Sequence, residues 1–509
     1  MTTIEYLSMS GPERAVFKTL DWFKALPGKV SRGFSKLPSR LARAGRKVVS
    51  PLTDAYDAAR NGDWRTRLSF LIMGFGHLTR RQILRGCLYL LYEILFIVFM
   101  VLVGGPNLKS MGSLGQMAVT NINVGGFQIQ FSYDDSLRIL LYSVISIFLI
   151  LVLAYLYFGQ IKDSLRLQRS AYIGHYTSDK QTLKNVLDKS YHRTLLTIPM
   201  AGVVIFTIIP VVIMVLIAFT NYNSYHLTPG RLIDWVGFQN FATLFSAGMQ
   251  GSSTLFIQKF GEVLLWTLIW AIFATFTNYF LGMIVAMIIN AKGVRLKKVW
   301  RTILITTIAV PSFISLLLMS KMLDTNYGII NSWIETLGGN GVPWLTDGLI
   351  AKVTIIVVNM WIGIPYTMLM CTGLLMNIPA DLYESARIDG ASAFKTYMKI
   401  TLPYMMFVTS PYLISNFVSN INNFNVIYLL SGGGPNFSYL GYEVVPQQLS
   451  GLGQTDLLIT WIYKMCMTNS FKDYGTASVV GLMIFVVVAF LSLVVFNNTN
   501  SIKNEEDYQ

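Results

Sequence analysis

The chain has 509 residues, of which 53% are hydrophobic and 13% charged, with a mean hydropathy of +0.51 and a formal net charge of +14. Apolar runs close to twenty residues long recur between short polar loops, which excludes a soluble single-core domain and implies an all-α, polytopic membrane protein. Cys87, Cys371 and Cys466 lack metal-like spacing and lie in or near apolar segments, so they indicate packing and neither a disulfide nor redox chemistry.

Residues 1–85 form a basic segment with sixteen Lys and Arg, densest over 14–47, where FKTLDWFKAL and RLARAGRKV mix basic residues with aromatics and leucines. Such a segment either lies on an anionic membrane surface or stays a poorly ordered tail. Eight membrane helices are then expected at about 86–104, 138–158, 198–219, 264–290, 302–322, 352–376, 404–430 and 476–496. The first begins far from the N-terminus and has no small-residue cleavage site behind it, so it is read as an anchor and not as a removed signal.

Lys and Arg are retained on the cytoplasmic side, and they concentrate in residues 1–85, in loop 159–197 and in loop 291–301, the last with Lys292, Arg295, Lys297, Lys298 and Arg301. The alternate loops are poor in them: Lys109 alone lies in 105–137, and Arg231 and Lys259 alone lie in 220–263. Both termini and loop 377–403 are therefore expected in the cytoplasm. The same asymmetry accounts for the charge of +14 without nucleic acid.

The span interiors are read as free of Asp, Glu and His, with His77, His175, His192 and His226 placed in loops. Proton- or ion-coupled transporters use such side chains at membrane depth, so a gradient-driven mechanism is disfavoured, although sodium sites of carbonyls and hydroxyls stay open. Uphill movement would then draw its energy from another subunit.

Loop 377–403 reads NIPADLYESARIDGASAFKTYMKITLP. Pro379 suits the first turn of a helix, Asp381 and Glu384 complement its positive end, and Gly390 can end it and turn the chain. A second short helix follows before Pro403, giving a helix-turn-helix on the inner face. GASAFKT at 390–396 is no phosphate-binding loop, because Phe394 stands where that motif requires glycine.

The next span holds Asn416, Asn420 and Asn423 at i, i+4 and i+7, one face of a helix. An amide facing hydrocarbon costs free energy, so this face meets either neighbouring helices, which the amides glue, or a wet cavity. Phe417, Phe424 and Tyr428 accompany them, and NMWIGIPY occupies 359–366 in the preceding span. Neutral amides beside aromatic faces suit a polyhydroxyl solute such as a sugar.

Glu384, Ser385 and Ala386, then Gly390, then Ile400, Leu402 and Pro403 resemble the EAA loop of ABC importer permeases, E-A-A, three residues, G, nine residues, I-x-L-P, with Ser385 replacing the middle alanine. VPSFIS at 310–315, NMWIGIPYTMLMCTGLLMNIP at 359–379, NNFNVIYLLSGGGP at 422–435 and FKDYG at 471–475 are similar to MalF-type maltose/maltodextrin permeases, over roughly 200–497. The resemblance implies an ABC importer type I permease fold in a bacterial cytoplasmic membrane. Charge and span positions, with the resemblance over the core, divide the chain into a basic segment 1–85, two spans and a loop over 86–197, a permease core over 198–497 and a tail over 498–509.

The resemblance also implies substrate contacts at Trp361, Gly363, Tyr366, Asn420 and Asn423, and at Asn416, where the maltose permease has serine. Coupling to an ATPase falls to Glu384, Ser385, Ala386, Asp389, Gly390, Ile400, Leu402 and Pro403. The implied partners are a second, MalG-like permease, two ATP-binding cassette subunits that use ATP and Mg, an extracytoplasmic sugar-binding protein, and membrane lipid. This chain would bind no cofactor and would not hydrolyse ATP. Residues 220–263 form only a short loop where enterobacterial relatives carry a large folded domain, which removes one contact with the binding protein. Permeases for other oligosaccharides share most of these motifs. An ion-coupled sugar transporter and a membrane scaffold are the readings from other classes.

Overall fold

A computed structural model describes residues 50–498, apart from 118–120, 125–126, 131–132, 175–178, 182–183, 185–187, 189–190, 228–230, 246–251, 292 and 440–444. The basic stretch 14–47, His175 and tail residues 499–509 lie outside the described residues. The membrane-length and neighbouring helices are α1 (Ile83–Phe99), α2 (Ser136–Tyr172), α3 (Thr194–Ile217), α4 (Ser252–Asn290), α5 (Lys297–Ala309), α6 (Ser312–Met322), α7 (Gly348–Leu375), α8 (Ala380–Ile388), α9 (Leu402–Ile421), α10 (Phe424–Leu430), α11 (Leu458–Tyr463) and α12 (Tyr474–Asn498). Helices dominate because hydrocarbon offers no partner to backbone N–H and C=O groups, so each segment must satisfy them internally. One antiparallel hairpin pairs Asn121–Val124 with Phe127–Gln130.

Among the described residues, six helices are long and apolar enough to cross a membrane, and α5 with α6 makes a seventh if the pair is one span bent by 88°. The bend sits at Val310–Pro311, where Val310 is extended (φ −81°, ψ 124°), as the ring of a following proline demands. The expected span 404–430 is met by α9 and α10, whose amides, serines and prolines leave it less apolar than the others.

Three expectations are corrected. Loop 159–197 is helical as far as Tyr172, because α2 continues past its apolar stretch. His77 is not in a loop but buried in the short helix Phe75–Leu78, and His192 lies in the helix Tyr191–Val203. The spans are not free of acid: Glu93 lies within α1, where its carboxylate accepts the Met73 N–H at 2.9 Å.

Two compact units are formed, one by the described parts of Met1–Gly112 with Arg138–Ile209, the other by Ser113–Leu137 with the described parts of Pro210–Gln509. In the first, Arg80 is buried and its guanidinium donates to Asp63 at 2.6 Å, Thr66 Oγ1 at 2.8 Å and Ser164 Oγ at 3.0 Å. Gln168 accepts the Asp63 N–H at 3.0 Å, and Arg85 pairs with Asp163 at 2.6 Å. These bonds tie residues 63–85 to the polar end of α2, which explains why that end stays helical.

Among the described residues of the second unit there are three apolar clusters. One gathers Trp461, Phe256 and Val480, a second Trp270, Ile355 and Ile427, and a third Tyr279, Met368 and Met405. The crossing of α4 and α7 is reciprocal: a Cβ at Gly363 would strike the Asn278 amide, and one at Gly282 would strike the Thr367 side chain. Both pairs are spaced i, i+4, the small-residue pattern that lets two membrane helices approach closely. The Thr367 hydroxyl donates to the Asn278 carbonyl across the crossing at 2.8 Å.

Candidate functional site

Asn416, Asn420 and Asn423 do not share one continuous helix. α9 ends at Ile421, and Asn423 has extended geometry (φ −77°, ψ 90°) as the N-cap of α10, its Oδ1 accepting the Val426 N–H at 3.3 Å. Hydrogen bonding restores the link across the break, since Asn423 Nδ2 donates to Asn420 Oδ1 at 3.3 Å. The signal was present in the sequence as an Asn directly before the apolar run FNVIYLL.

Asn420 is buried, and its amide is engaged on both sides. Its Nδ2 donates to Thr275 Oγ1 on α4 at 3.0 Å, and its backbone carbonyl accepts the Trp270 Nε1–H at 3.1 Å. In this conformation Asn420 glues α9 to α4, the bland alternative of the two that its sequence left open. Asn416, one turn earlier, is half-buried and has no hydrogen-bond partner among the described residues.

On α7, Trp361 and Tyr366 are 48% and 57% exposed, so both rings are available to a ligand or a partner. Gly363 lies between them at the crossing with α4. Neither ring hydrogen-bonds the amides of α9 among the described residues. Behind this face, Asn278 Oδ1 and Asn359 Nδ2 are buried and lack a partner among the described residues. Sequence reasoning missed Trp270, Thr275 and Asn278 because an Asn or Thr in an apolar run does not reveal which helix it meets.

Loop 377–403 takes the expected helix-turn-helix form. α8 starts after Pro379 (φ −56°), with Asp381 in its first turn and Arg387 in its last, both matched to the helix dipole. Gly390 adopts φ +68°, a left-handed conformation that disfavours any side chain, and Ala391 N–H returns to the Ala386 carbonyl at 2.9 Å. Ser392 caps the next short helix, Ala393–Thr396, and a π-helical turn, Tyr397–Thr401, runs into α9 past Ile400, Leu402 and Pro403.

Glu384, Ser385 and Asp389 are exposed, whereas Ala386 is buried, and the Ser385 hydroxyl is turned back onto the Asp381 carbonyl at 2.8 Å. Two features were not foreseen. Ile388 and Phe394 are 86% and 72% exposed, an apolar pair flanking the Gly390 turn. The Tyr383 hydroxyl meets Thr401 Oγ1 at 3.1 Å, joining α8 directly to the base of α9.

Residues 278–500 match the family described as binding-protein-dependent transport system inner membrane component. The chain is 32% identical over 454 residues to the maltodextrin transport system permease protein MalC of Streptococcus pneumoniae serotype 4, covering 87% of this chain and 97% of that protein. It is 33% identical over 438 residues to the galactooligosaccharides transport system permease protein GanP of Bacillus subtilis, covering 86% and 97%. With the maltose/maltodextrin transport system permease protein MalF of Escherichia coli K12 it shares 34% identity over 276 residues, 54% of this chain and 51% of that one. Among solved structures, a chain of a bacterial alginate ABC transporter, in complex with an alginate pentasaccharide-bound periplasmic protein, aligns with TM-score 0.47 and 21% identity over 63% of this chain and 98% of that one.

Proposed function

The chain belongs to the family of binding-protein-dependent transport system inner membrane components, and from that premise we propose that it is the membrane-spanning half of an ATP-driven importer of maltodextrin-type oligosaccharides. The observation that carries this reading is the mechanical path from α8 to the amides. α8 is exposed, ends in a left-handed turn at Gly390, and is tied through Tyr383 and Thr401 to the helix that bears Asn416 and Asn420. A push on α8 therefore reaches α9 without a flexible linker between them.

In this reading, two ATP-binding cassette subunits dock on α8, where Ile388 and Phe394 offer apolar anchors and Glu384 a carboxylate for a basic group. Their closure on ATP and Mg moves α8 and with it α9, opening the path toward the outer side. An extracytoplasmic binding protein delivers the sugar, and a second permease with its own coupling loop completes the pathway. Trp361 and Tyr366 stack on the sugar's C–H faces, while Asn416, Asn420 and Asn423 supply amide donors and acceptors to its hydroxyls. Asn420 must first exchange its bond to Thr275 for one to the sugar, so substrate binding and helix movement are coupled.

The chain supplies no catalytic group; hydrolysis is the work of the partner ATPases. The charge asymmetry of the loops supports both termini in the cytoplasm. The similarity to a galactooligosaccharides permease favours a second substrate class, galactooligosaccharides.

The test is uptake of labelled maltotriose by cells lacking this chain, complemented with the natural sequence or with Gly390→Asp. Uptake with the natural chain alone supports both the sugar and the coupling role. Normal transport by an assembled Gly390→Asp complex removes the coupling role, and failure of both with assembled complexes redirects the substrate to galactooligosaccharides.

A further inference from the structure

Phe424 and Tyr428, which the sequence sets beside the amides, join Tyr463 in a three-ring cluster to which no sugar unit has been assigned. Phe424 and Tyr428 stack with centroids 4.8 Å apart and planes at 21°, and Tyr463 of α11 meets both edge-on at 4.8 and 5.2 Å. α10 is two-sided: Val426, Ile427 and Leu430 are buried in the core, whereas Phe424 and Tyr428, four residues apart, stay half-exposed on another face. A cluster serving packing alone belongs on the buried face. Here the buried side is aliphatic and the open side aromatic, with two phenol hydroxyls.

The cluster also begins where the amide ladder ends. Asn423 caps the very helix that carries Phe424 and Tyr428, and is itself bonded to Asn420. By the charge-derived topology, α10 and α11 lie toward the extracytoplasmic side of those amides. The support behind α11 is rigid. Asp456 is buried, accepts from Lys464 at 2.7 Å, from Gly453 N–H at 2.7 Å and from Thr460 Oγ1 at 2.9 Å, and so fixes the turn of chain that presents Tyr463.

We propose that Phe424, Tyr428 and Tyr463 form an outer pyranose-stacking subsite that takes the next sugar unit of an oligosaccharide whose inner units lie at Asn416, Asn420 and Asn423. The proposal rests on the sugar-importer reading above. Half-open tyrosines suit this ligand because a pyranose presents an apolar C–H face to a ring and hydroxyls to a phenol, and the rings lose little side-chain freedom on binding. A disaccharide that fills only the amide ladder reaches the subsite little; a longer chain reaches it fully. The cluster therefore sets preference for chain length.

The experiment is initial-rate uptake of labelled maltose and maltotetraose by the complete transporter in proteoliposomes, for the natural chain, Tyr463→Leu, Tyr428→Leu and Tyr463→Phe. One lost aromatic contact corresponds to a rise in KM of about three- to tenfold. The expected result is that rise for maltotetraose in both leucine variants, well above any rise for maltose, with Tyr463→Phe, which keeps the ring and loses only the hydroxyl, rising less than Tyr463→Leu. Equal shifts for both sugars, or none in variants that assemble and melt like the natural complex, overturn the proposal and leave a packing cluster. If the natural chain takes up galactooligosaccharides in place of maltodextrins, the same ratio is read on the di- and tetrasaccharides of that series. Uptake of neither series by the natural chain overturns the importer reading itself, and the subsite falls with it.

Discussion

Asn278 of α4 lies against the bare backbone of Gly363 on α7, so closely that a single added methyl group would run into its amide. The contact fixes the turn of α7 that carries Trp361 on one side and Tyr366 on the other. Gly363→Ala must push the helices apart or turn the Asn278 amide, and overpacking of this kind costs about 1–3 kcal/mol. The expected outcome is a lowered melting temperature together with a raised KM for the sugar. Asn278→Ala in the same background removes the obstructing amide and should restore much of both, as measured by melting and uptake of the purified complex.

Lys464 and Asp456 are a buried ion pair at 2.7 Å, with Asp456 fully inaccessible to solvent. Burial pushes the Asp456 carboxyl up from its ordinary value, and the Lys464 charge is the largest influence holding it down. Removing one partner of such a pair typically costs about 3–5 kcal/mol, because the other charge stays buried alone. Lys464→Met should destabilise the transporter by about that much at neutral pH. In the variant the carboxyl titrates higher folded than unfolded, so protonation favours the folded state and the deficit should shrink as pH falls toward the ordinary carboxyl range. The double variant Lys464→Met, Asp456→Asn should lose less than Lys464→Met alone in melting measurements at pH 7.

His77 is buried with neither ring nitrogen bonded among the described residues, and burial together with the Arg85 and Arg80 charges pushes its pKa down from 6.5 to about 3. The ring is therefore neutral when folded. Below pH 6.5 the unfolded chain takes up a proton that the folded one refuses, so stability present above that pH is lost as pH falls toward 3. At pH 5 the loss from this one group amounts to about 2 kcal/mol. Amide exchange over residues 63–89 should accelerate between pH 7 and 5 beyond the intrinsic pH effect, and His77→Phe, which keeps a ring beside Tyr89, should flatten that dependence. An unchanged slope in the variant would assign the effect to another group.

The membrane class, most span positions and the form of the coupling loop were legible because each rests on local signals: apolar runs, a proline at a helix start, and a glycine where φ becomes positive. Partners distant in sequence were not legible. Asn420 finds Thr275 at a separation of 145 residues, and nothing in SNFVSNINNF distinguishes an amide that holds a helix from one that faces a cavity. The polar end of α2 was hidden for a similar reason. Its helix is held by Asp63, Arg80 and Arg85 from residues earlier in the chain, whereas hydropathy sees only the end of an apolar run. Glu93 was obscured by the apolar residues around it, and its carboxylate is spent on a backbone N–H.

The bond between Tyr383 and Thr401 makes a separate claim about force transmission. α8 is largely exposed, and this is the one hydrogen bond between α8 and the base of α9 among the described side chains. If α8 drives α9 through it, Tyr383→Phe should leave assembly and ATPase docking intact, since the ring and its packing remain, while lowering the sugar carried per ATP hydrolysed. A neutral hydrogen bond of this kind contributes about 0.5–1.5 kcal/mol, so the coupling ratio should fall about two- to tenfold. Thr401→Val removes the other partner and should have the same effect, and the double variant should be no worse than either single one. Additive losses in the double variant, or a ratio that stays at the natural value, would mean that the backbone turn at Gly390 carries the motion instead.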